Sequence, residues 1–108
     1  MDIIKFNDWQ KIDLRVGEIK EVEDHPDADK LFIIKVDMGE KVIQIVAGVK
    51  GYYTKEELVG KKIIVFTNLE PKEIRGIKGE GMLLAATNED KVVIISPEKD
   101  IKNGSRIS

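Results

Sequence analysis

The sequence predicts an all-β domain, a five-stranded Greek-key barrel with one small helix between its third and fourth strands. Five or six short β-rich segments, separated by polar turns, follow one another along the 108 residues. Between the third and fourth segments, Thr54 is followed three residues later by Glu57, which is the capping-box pattern of a helix start. This order of elements is the one expected of an OB-fold.

The N-terminal residues 1–12 are expected to form a lid on this barrel. Phe6, Trp9 and Ile12 recur at a spacing that suits a short helix or turn, which would place Phe6 and Trp9 on the core. The length suits a single domain over residues 1–108. Within it, residues 13–90 form the barrel and residues 91–108 form a C-terminal extension.

The first strand is predicted over residues 14–22. Its alternation of apolar and polar residues is broken at Ile19, after Gly17, as in a bulged or sharply bent strand. A polar turn over residues 23–29 follows, because proline and aspartate each suit turn geometry. His25 lies in this turn and is interpreted as a turn residue rather than as an acid or base.

The rest of the chain alternates between strands and connections. Asp37–Glu40 is typical of a tight hairpin connection, residues 54–58 of one or two helical turns, and residues 68–81 of an irregular loop rich in glycine and charge. The remaining predicted strands are Leu31–Val36, Val42–Val46, Ile63–Thr67, Met82–Thr87 and Val92–Ser96.

The composition argues against an enzyme. There is no cysteine, so disulfides, thiolate metal sites and cysteine nucleophiles are excluded, and the single histidine excludes a cluster of imidazole ligands. No acid and base groups pair at a usable spacing. The sequence therefore predicts neither a catalytic site nor a bound metal or cofactor. No apolar stretch suits a signal peptide or a membrane span, so a cytoplasmic protein is expected.

The charge is unevenly distributed. The net charge of −2 argues against a nucleic-acid binder, whose usual surface is basic. Residues 1–49 nevertheless carry 7 basic and 11 acidic groups, whereas residues 50–80 carry 7 basic and 5 acidic groups and residues 81–108 carry 4 of each. Only the middle of the chain could form a basic face.

Several blocks of the sequence resemble one known family, the tRNA-binding domains attached to some aminoacyl-tRNA synthetases. The matching blocks occur in the expected order over roughly residues 6–96, which argues against chance. They are Asp13–Ile19, His25–Leu31, Ile45–Val49, Asn68–Gly76 and Gly81–Ala86.

The resemblance implies a partner and an assembly. Members of the family occur as free-standing homodimers, as the C-terminal domain or separate beta subunit of methionyl-tRNA synthetase, and fused to other synthetases. It implies binding to the folded L-shape of tRNA rather than to an anticodon, and a dimer contact after the fifth strand. That contact is expected within Val92–Ile107, which carries six apolar residues, namely Val92, Val93, Ile94, Ile95, Ile101 and Ile107.

Six residues are the candidate tRNA-binding set: Lys30, Asn68, Lys72, Arg75, Lys78 and Met82. The resemblance places a phosphate contact at Lys30 and a base or ribose contact at Met82. Arg75 is expected to be the main contact of the glycine-rich loop, because a guanidinium can fork onto phosphate or stack on a base.

Each candidate also has a structural interpretation. Lys30 could balance Asp27 and Asp29, the loop cations could serve solubility, and Met82 could be core. Asn68 could equally fix its loop through its side chain. Tyr52 and Tyr53 could stack on bases, but adjacent aromatic residues in such a connection more often cap a barrel.

Four positions differ from the family's usual residues. The family often has serine at the positions of Ala47 and Gly79, and basic residues at those of Glu70 and Glu73. Two hydroxyl donors and two phosphate-attracting charges are therefore absent.

The predicted function is non-catalytic binding of tRNA in support of an aminoacyl-tRNA synthetase, with methionyl-tRNA synthetase as the expected partner. A weak electrostatic hold on tRNA would add to the synthetase's own contacts. The alternative is an export-related, chaperone-like protein that binds peptides, since some relatives of this architecture have that association. An apolar groove at the dimer and salt-insensitive binding would favour the alternative.

Overall fold

The computed structural model describes all 108 residues, Met1–Ser108. The two helices are α1 (Phe6–Trp9) and α2 (Lys55–Leu58), and neither is long and apolar enough to cross a membrane. The strands are β1 (Leu14–Asp24), β2 (Phe32–Asp37), β3 (Val42–Ala47), β4 (Lys62–Phe66), β5 (Lys72–Ile74), β6 (Ile77–Gly79), β7 (Met82–Leu83), β8 (Ala85–Asn88) and β9 (Lys91–Ile94).

Five antiparallel strands form a nearly closed barrel in the order β3-β2-β1-β4-β7. Strand β1 has 11 residues and is shared by two neighbours: residues 14–18 pair with β4 and residues 18–24 pair with β2. The register shifts between Ile19 and Glu21, which confirms the predicted bulge. Between β3 and the start of β7, the carbonyl of Gln44 accepts from the amide of Glu80 at 2.8 Å. The predicted OB-type barrel is confirmed.

The core is mainly aliphatic and lies inside the barrel. Alternate residues of β2 and β3 point inward, as expected for strands with one buried face. Each fully buried aliphatic side chain contributes roughly 1.5–3 kcal/mol to folding. The fully buried residues are Ile19, Ile34, Ile45, Leu58, Ile63, Val16, Val36 and Val65.

The predicted capping box at α2 is confirmed. Thr54 Oγ1 accepts from the amide of Glu57 at 3.1 Å, and Glu57 Oε1 accepts from the amide of Thr54 at 2.8 Å. Leu58 at the end of the helix is buried. The predicted capping role fits Tyr53, which packs on the core with its hydroxyl bonded to the amide of Ile94, but not Tyr52, which is exposed.

The prediction of a lid packed on the core was wrong. Phe6 is 71% exposed and Trp9 37% exposed, and no residue of α1 is buried. The apolar spacing is that of a single helical turn, but it does not bury these side chains. Asn68 Nδ2 donates to the carbonyl of Lys11, and Arg106 Nη2 donates to that of Gln10 at 3.3 Å.

Two predictions for residues 68–87 were also wrong. The loop expected to be irregular contains the hairpin β5–β6, whose strands have three residues each. The strand predicted over Met82–Thr87 breaks at Leu84 into β7, which pairs with β4, and β8, which pairs with β9. Leu84 marks the change of partner, because its amide donates to Ile64 while its carbonyl accepts from Ile95.

Residues 104–107, which we call the C-terminal strap, lie against the first residues of β1. The amides of Gly104 and Ile107 donate to β1 carbonyls at 2.7 and 2.8 Å, and the amide of Val16 donates to the carbonyl of Ser105 at 2.9 Å. The strap therefore completes the barrel wall where β2 has left β1. Gly39, at φ +93, permits this approach, since a Cβ there would lie 2.7 Å from the carbonyl oxygen of Asn103.

Candidate nucleic-acid interface

The hairpin β5–β6 presents three exposed cations, Lys72, Arg75 and Lys78. Its register pairs Lys72 with Gly79 and Glu73 with Lys78. Directly opposed residues share a face, so Lys78 has the carboxylate of Glu73 beside it whereas Lys72 has glycine. The structure thus brings three of the six candidate residues into one element.

The tip of the hairpin is a two-residue turn with left-handed backbone. Arg75 has φ +47 and Gly76 φ +83, which is the pattern of a type I′ hairpin turn. Arginine is disfavoured in this conformation, at a cost of roughly 1–2 kcal/mol. The side chain gains a partner in exchange, because Arg75 Nη1 donates to the carbonyl oxygen of Asp27 at 2.7 Å.

His25 makes a second connection at the hairpin tip. Its side chain is 4% exposed, its Nδ1 accepts from the amide of Asp27 at 3.0 Å, and its Nε2 lies 2.9 Å from the carbonyl oxygen of Ile74. Nδ1 is the acceptor in this arrangement, so the proton lies on Nε2 and is donated to Ile74. His25 is a turn residue, as predicted, and it also joins the β1–β2 loop to the hairpin. That loop carries Lys30, which is exposed.

The base of the hairpin is attached to the barrel through Gln44. Lys35 Nζ donates to Gln44 Oε1 at 2.6 Å, and Gln44 Nε2 donates to the carbonyl of Lys78 at 2.9 Å. Lys35 and Gln44 oppose each other on β2 and β3. Sequence reasoning missed both as site residues, although each stands between two buried aliphatic residues and so must face outward.

The cations of this surface are free of carboxylate partners. Six ion pairs occur in the protein, and none includes Lys30, Lys35, Lys72, Arg75 or Lys78. Six cations elsewhere do pair with carboxylates. Among them, hydrogen bonds from Lys50 and, to a smaller extent, Lys55 lower the pKa of Asp24, and a hydrogen bond from Lys62 lowers the pKa of Asp100. We call Lys30, Lys35, Lys72, Arg75 and Lys78 the free-cation surface. Its charge is available to an anionic ligand, although Glu73 and Glu80 nearby reduce it.

Asn68 and Met82 make no hydrogen bond or ion pair to the hairpin. Asn68 Oδ1 accepts from the amide of Asp13 at 2.9 Å while its Nδ2 serves Lys11. Both halves of the amide therefore fix the loop to the N-terminal segment, which supports the structural interpretation. Met82 is 45% exposed at the start of β7, so it is not core.

A groove beside the C-terminal strap is lined mostly by polar residues and so does not suit an apolar ligand. It has a volume of about 570 Å³. Met38 and Ile43 are the hydrophobic residues among the 13 that line it. Arg15 in its wall is already bonded to Asp13 Oδ1 at 2.8 Å and to the carbonyl of Gly104 at 3.0 Å.

Comparison with known proteins identifies related sequences. Residues 14–106 match the model of a family described as "Putative tRNA binding domain". The chain is 50% identical over 107 residues to the methionine--tRNA ligase of Thermococcus onnurineus and 48% identical over 108 residues to that of Methanocaldococcus jannaschii. The matches cover 99% of this chain but 15% and 17% of those ligases, so the chain spans about a sixth of their length.

Solved structures with the same fold are also related in sequence. A MetRS-related protein from Pyrococcus horikoshii has a TM-score of 0.93 and 34% identity over all of both chains. The chaperone CsaA of Bacillus anthracis has a TM-score of 0.92 and 30% identity, over 99% of this chain and all of that one. CsaA from Picrophilus torridus is 36% identical, with a TM-score of 0.91 over 98% of this chain and all of that one.

Proposed function

Because this chain belongs to the tRNA-binding domain family, we propose that it binds tRNA through the free-cation surface and catalyses no reaction. The observation that carries this proposal is the arrangement of cations. Lysines and arginine without carboxylate partners occur on two loops that are hydrogen-bonded to each other and on the adjoining strand. Such an arrangement attracts a polyanion despite the net charge of −2.

The binding mechanism is electrostatic and reads shape. Lysine and arginine neutralise phosphates and release counterions, which supplies affinity without base identity. Arg75 adds a planar group that can fork onto a phosphate or stack on an unpaired base. This account supports recognition of the folded tRNA backbone rather than of an anticodon. Lys30, Lys72 and Lys78 contribute point charges, and the exposed Met82 contributes an apolar contact, whereas Asn68 acts by fixing its loop.

The relatives suggest a biological setting. Since the similar region is about a sixth of the methionine--tRNA ligases, we propose that this chain supplies tRNA binding to a methionyl-tRNA synthetase, acting in trans as a beta subunit. A second contact to tRNA raises overall affinity by making one binding event intramolecular. The setting is the cytoplasm, where aminoacylation serves translation.

We also propose that two copies associate and so present two free-cation surfaces. Exposed apolar residues support this: Val93, Ile95 and Ile101 lie within the segment predicted for the contact, and the N-terminal segment adds more. Ile3 is 93% exposed and Ile4 69%, next to exposed Phe6 on the same segment. Several exposed apolar side chains within short segments are typical of an interface.

Point substitutions test the dimer better than truncation, because the C-terminal strap is part of the barrel wall. The double variant Ile4→Ser with Phe6→Ser should shift sedimentation toward monomer at micromolar concentration. Val59→Ser, which alters an exposed apolar residue after α2, is the matched control and should sediment like the parent. A parent protein that is already monomeric at micromolar concentration would disprove the dimer.

The peptide-binding alternative is not proposed, because the groove beside the C-terminal strap is lined mostly by polar residues. Competition decides the function directly. Labelled tRNA bound to the purified chain should be displaced by unlabelled tRNA and much less by a short RNA duplex of equal nucleotide concentration. Equal displacement by the duplex would show binding to RNA charge alone, and absence of any complex at low salt would refute tRNA binding.

A further inference from the structure

We propose that His25 is a positioning residue for tRNA binding, which holds the tip of the β5–β6 hairpin against the β1–β2 loop. The proposal rests on the proposed function, since it assigns His25 a part in forming the tRNA-binding surface. His25 itself touches no ligand in this account. It acts through Asp27, Ile74 and Arg75.

The β1–β2 loop and the hairpin tip are far apart in sequence, and two hydrogen bonds that run in opposite directions join them. His25 donates to the carbonyl of Ile74 at 2.9 Å, and Arg75 donates to the carbonyl of Asp27 at 2.7 Å. The amide of Asp27 donates to His25 at 3.0 Å, which closes the set. We call these three hydrogen bonds the loop latch. Each loop therefore both donates to and accepts from the other.

The hairpin needs this latch because it is too short to hold itself in place. Its strands have three residues each, and an isolated two-stranded hairpin is marginally stable in water. Gln44 attaches its base to the barrel, but the tip has no other hydrogen bond to the body of the protein. The left-handed backbone at Arg75 adds strain, and strained residues persist where their surroundings fix them.

Burial makes His25 the fixed half of the latch. The imidazole is 4% exposed, whereas the Arg75 side chain is exposed and free to exchange its carbonyl partner for a phosphate. Loss of Arg75 from the latch on binding tRNA would leave the His25 contact to Ile74 in place. The hairpin would thus keep its position while its guanidinium engages the ligand.

The consequence concerns the number of phosphate contacts. With the latch formed, Lys30 on one loop and Lys72 and Lys78 on the other keep a fixed spacing. Without it, the hairpin cations move independently of Lys30, and fewer of them engage tRNA at the same time. The slope of log K against log salt depends on the number of phosphates neutralised. Its magnitude should therefore decrease when the hydrogen bonds of the loop latch are removed.

The test compares the parent with His25→Ala and His25→Gln in the full chain. Titrations of fluorescently labelled tRNA at several salt concentrations give the affinity and its salt slope, and hydrogen exchange reports on residues 72–79. His25→Ala should weaken tRNA binding roughly tenfold and reduce the magnitude of the slope of log K against log salt by about one, the loss of one phosphate contact. It should also speed hydrogen exchange in the hairpin. His25→Gln retains a donor for Ile74 and should recover most of the affinity and slope.

Tyr53→Phe is the matched control, since it removes one partly buried hydrogen bond, from the amide of Ile94, that involves none of the latch residues. It should lower stability modestly and leave affinity, slope and hairpin exchange unchanged. If His25→Ala changes affinity and slope no more than Tyr53→Phe does, the positioning role is refuted while tRNA binding by the parent stands.

The two proposals fail separately. If the parent does not bind tRNA, the proposed function fails, and hairpin exchange that is unchanged in both His25 variants overturns the latch independently. Should His25→Ala not fold, His25→Gln and His25→Asn supply the comparison. His25→Asn has a shorter amide, which can accept from Asp27 but does not extend to Ile74. It should then bind more weakly than His25→Gln, and equal binding would overturn the assignment.

Discussion

Two arginines of this protein differ in how far their charge is compensated by neighbouring groups. Arg15 on β1 is bonded to Asp13 Oδ1 at 2.8 Å and to the carbonyl of Gly104 at 3.0 Å, so its charge is compensated and serves the C-terminal strap. Arg75 on the hairpin tip has one carbonyl partner and no carboxylate. The same side chain closes the fold in one region and remains available to a ligand in the other.

The cations around the two arginines differ in the same way, so the net charge of the chain is a poor guide to the binding of a polyanion. Lys20 and Lys62 also pair with carboxylates around β1 and β4, whereas the free-cation surface has no ion pair. The acidic excess lies entirely in residues 1–49. A polyanion responds to local potential within about a Debye length, roughly 10 Å at moderate salt. Local pairing is therefore the better guide to binding.

Charge reversal at Arg75 is expected to have the largest effect on tRNA binding. Arg75→Glu should abolish detectable tRNA binding, because each lost or reversed contact of this kind costs roughly 1–3 kcal/mol. The melting temperature should change little, because the side chain is exposed. Lys91→Glu, on the β8–β9 hairpin, is the control and should bind normally. The measurement is a tRNA titration at low salt, with a thermal melt of each variant.

Arg75→Gly separates the charge from the turn. Glycine suits the left-handed backbone at this position, so the variant should melt no lower than the parent while binding about tenfold more weakly, a loss of ~1.4 kcal/mol. If Arg75→Glu binds like the parent, or if it unfolds, Arg75 is a structural residue and the surface has been placed wrongly.

The opposite result is expected at Arg15. Arg15→Ala removes two hydrogen bonds, one of them to a carboxylate, and should lower the free energy of unfolding by ~1–3 kcal/mol. Denaturant unfolding measures that loss. Binding of tRNA under conditions where the variant is folded should be unchanged, because the charge of Arg15 is compensated. A variant of parental stability that binds tRNA poorly would reverse the assignment of the two arginines.

The smallest expected effect concerns Asp24, which the hydrogen bonds from Lys50 and Lys55 favour in its charged form. These bonds lower the pKa of Asp24, so the folded protein binds its proton less readily than the unfolded chain. The resulting stabilisation is present above the unfolded pKa, near pH 4, and is lost as the pH falls through the lowered folded pKa.

Asp24→Asn should therefore melt slightly below the parent at pH 7, and the difference should shrink as the pH falls below about 4. The difference is small because the carboxylate is exposed and screened by water. Thermal melts across this pH range measure it. A difference that grows on acidification would contradict the direction of the pKa shift.

Much of the barrel could be predicted from sequence because its signals are local. The β-rich segments of β2 and β3, the bulge at Ile19 and the capping box of Thr54 and Glu57 each depend on neighbours along the chain. The β5–β6 hairpin could not be predicted in this way. Its strands are short, and its turn places Arg75 where asparagine, aspartate or glycine is the usual signal.

The remaining misses depend on tertiary contacts. The apolar face of α1 was assigned to the core from spacing alone, but spacing does not say against what a face packs. His25 was correctly placed in a turn, yet its polar neighbours gave no sign of burial, which comes from the hairpin folding over it. Lys35 and Gln44 were overlooked because they lie within strands, whereas the candidate binding residues were sought mainly in loops.

The salt dependence of tRNA binding tests the account most directly. A free-cation surface that engages three to five phosphates should give a slope of log K against log salt of roughly −2 to −4, and binding should weaken markedly between low and physiological salt. Lys72→Ala should make that slope shallower, and Lys91→Ala should not. Binding of equal strength at low and high salt, or no binding at low salt, would contradict electrostatic recognition by these residues.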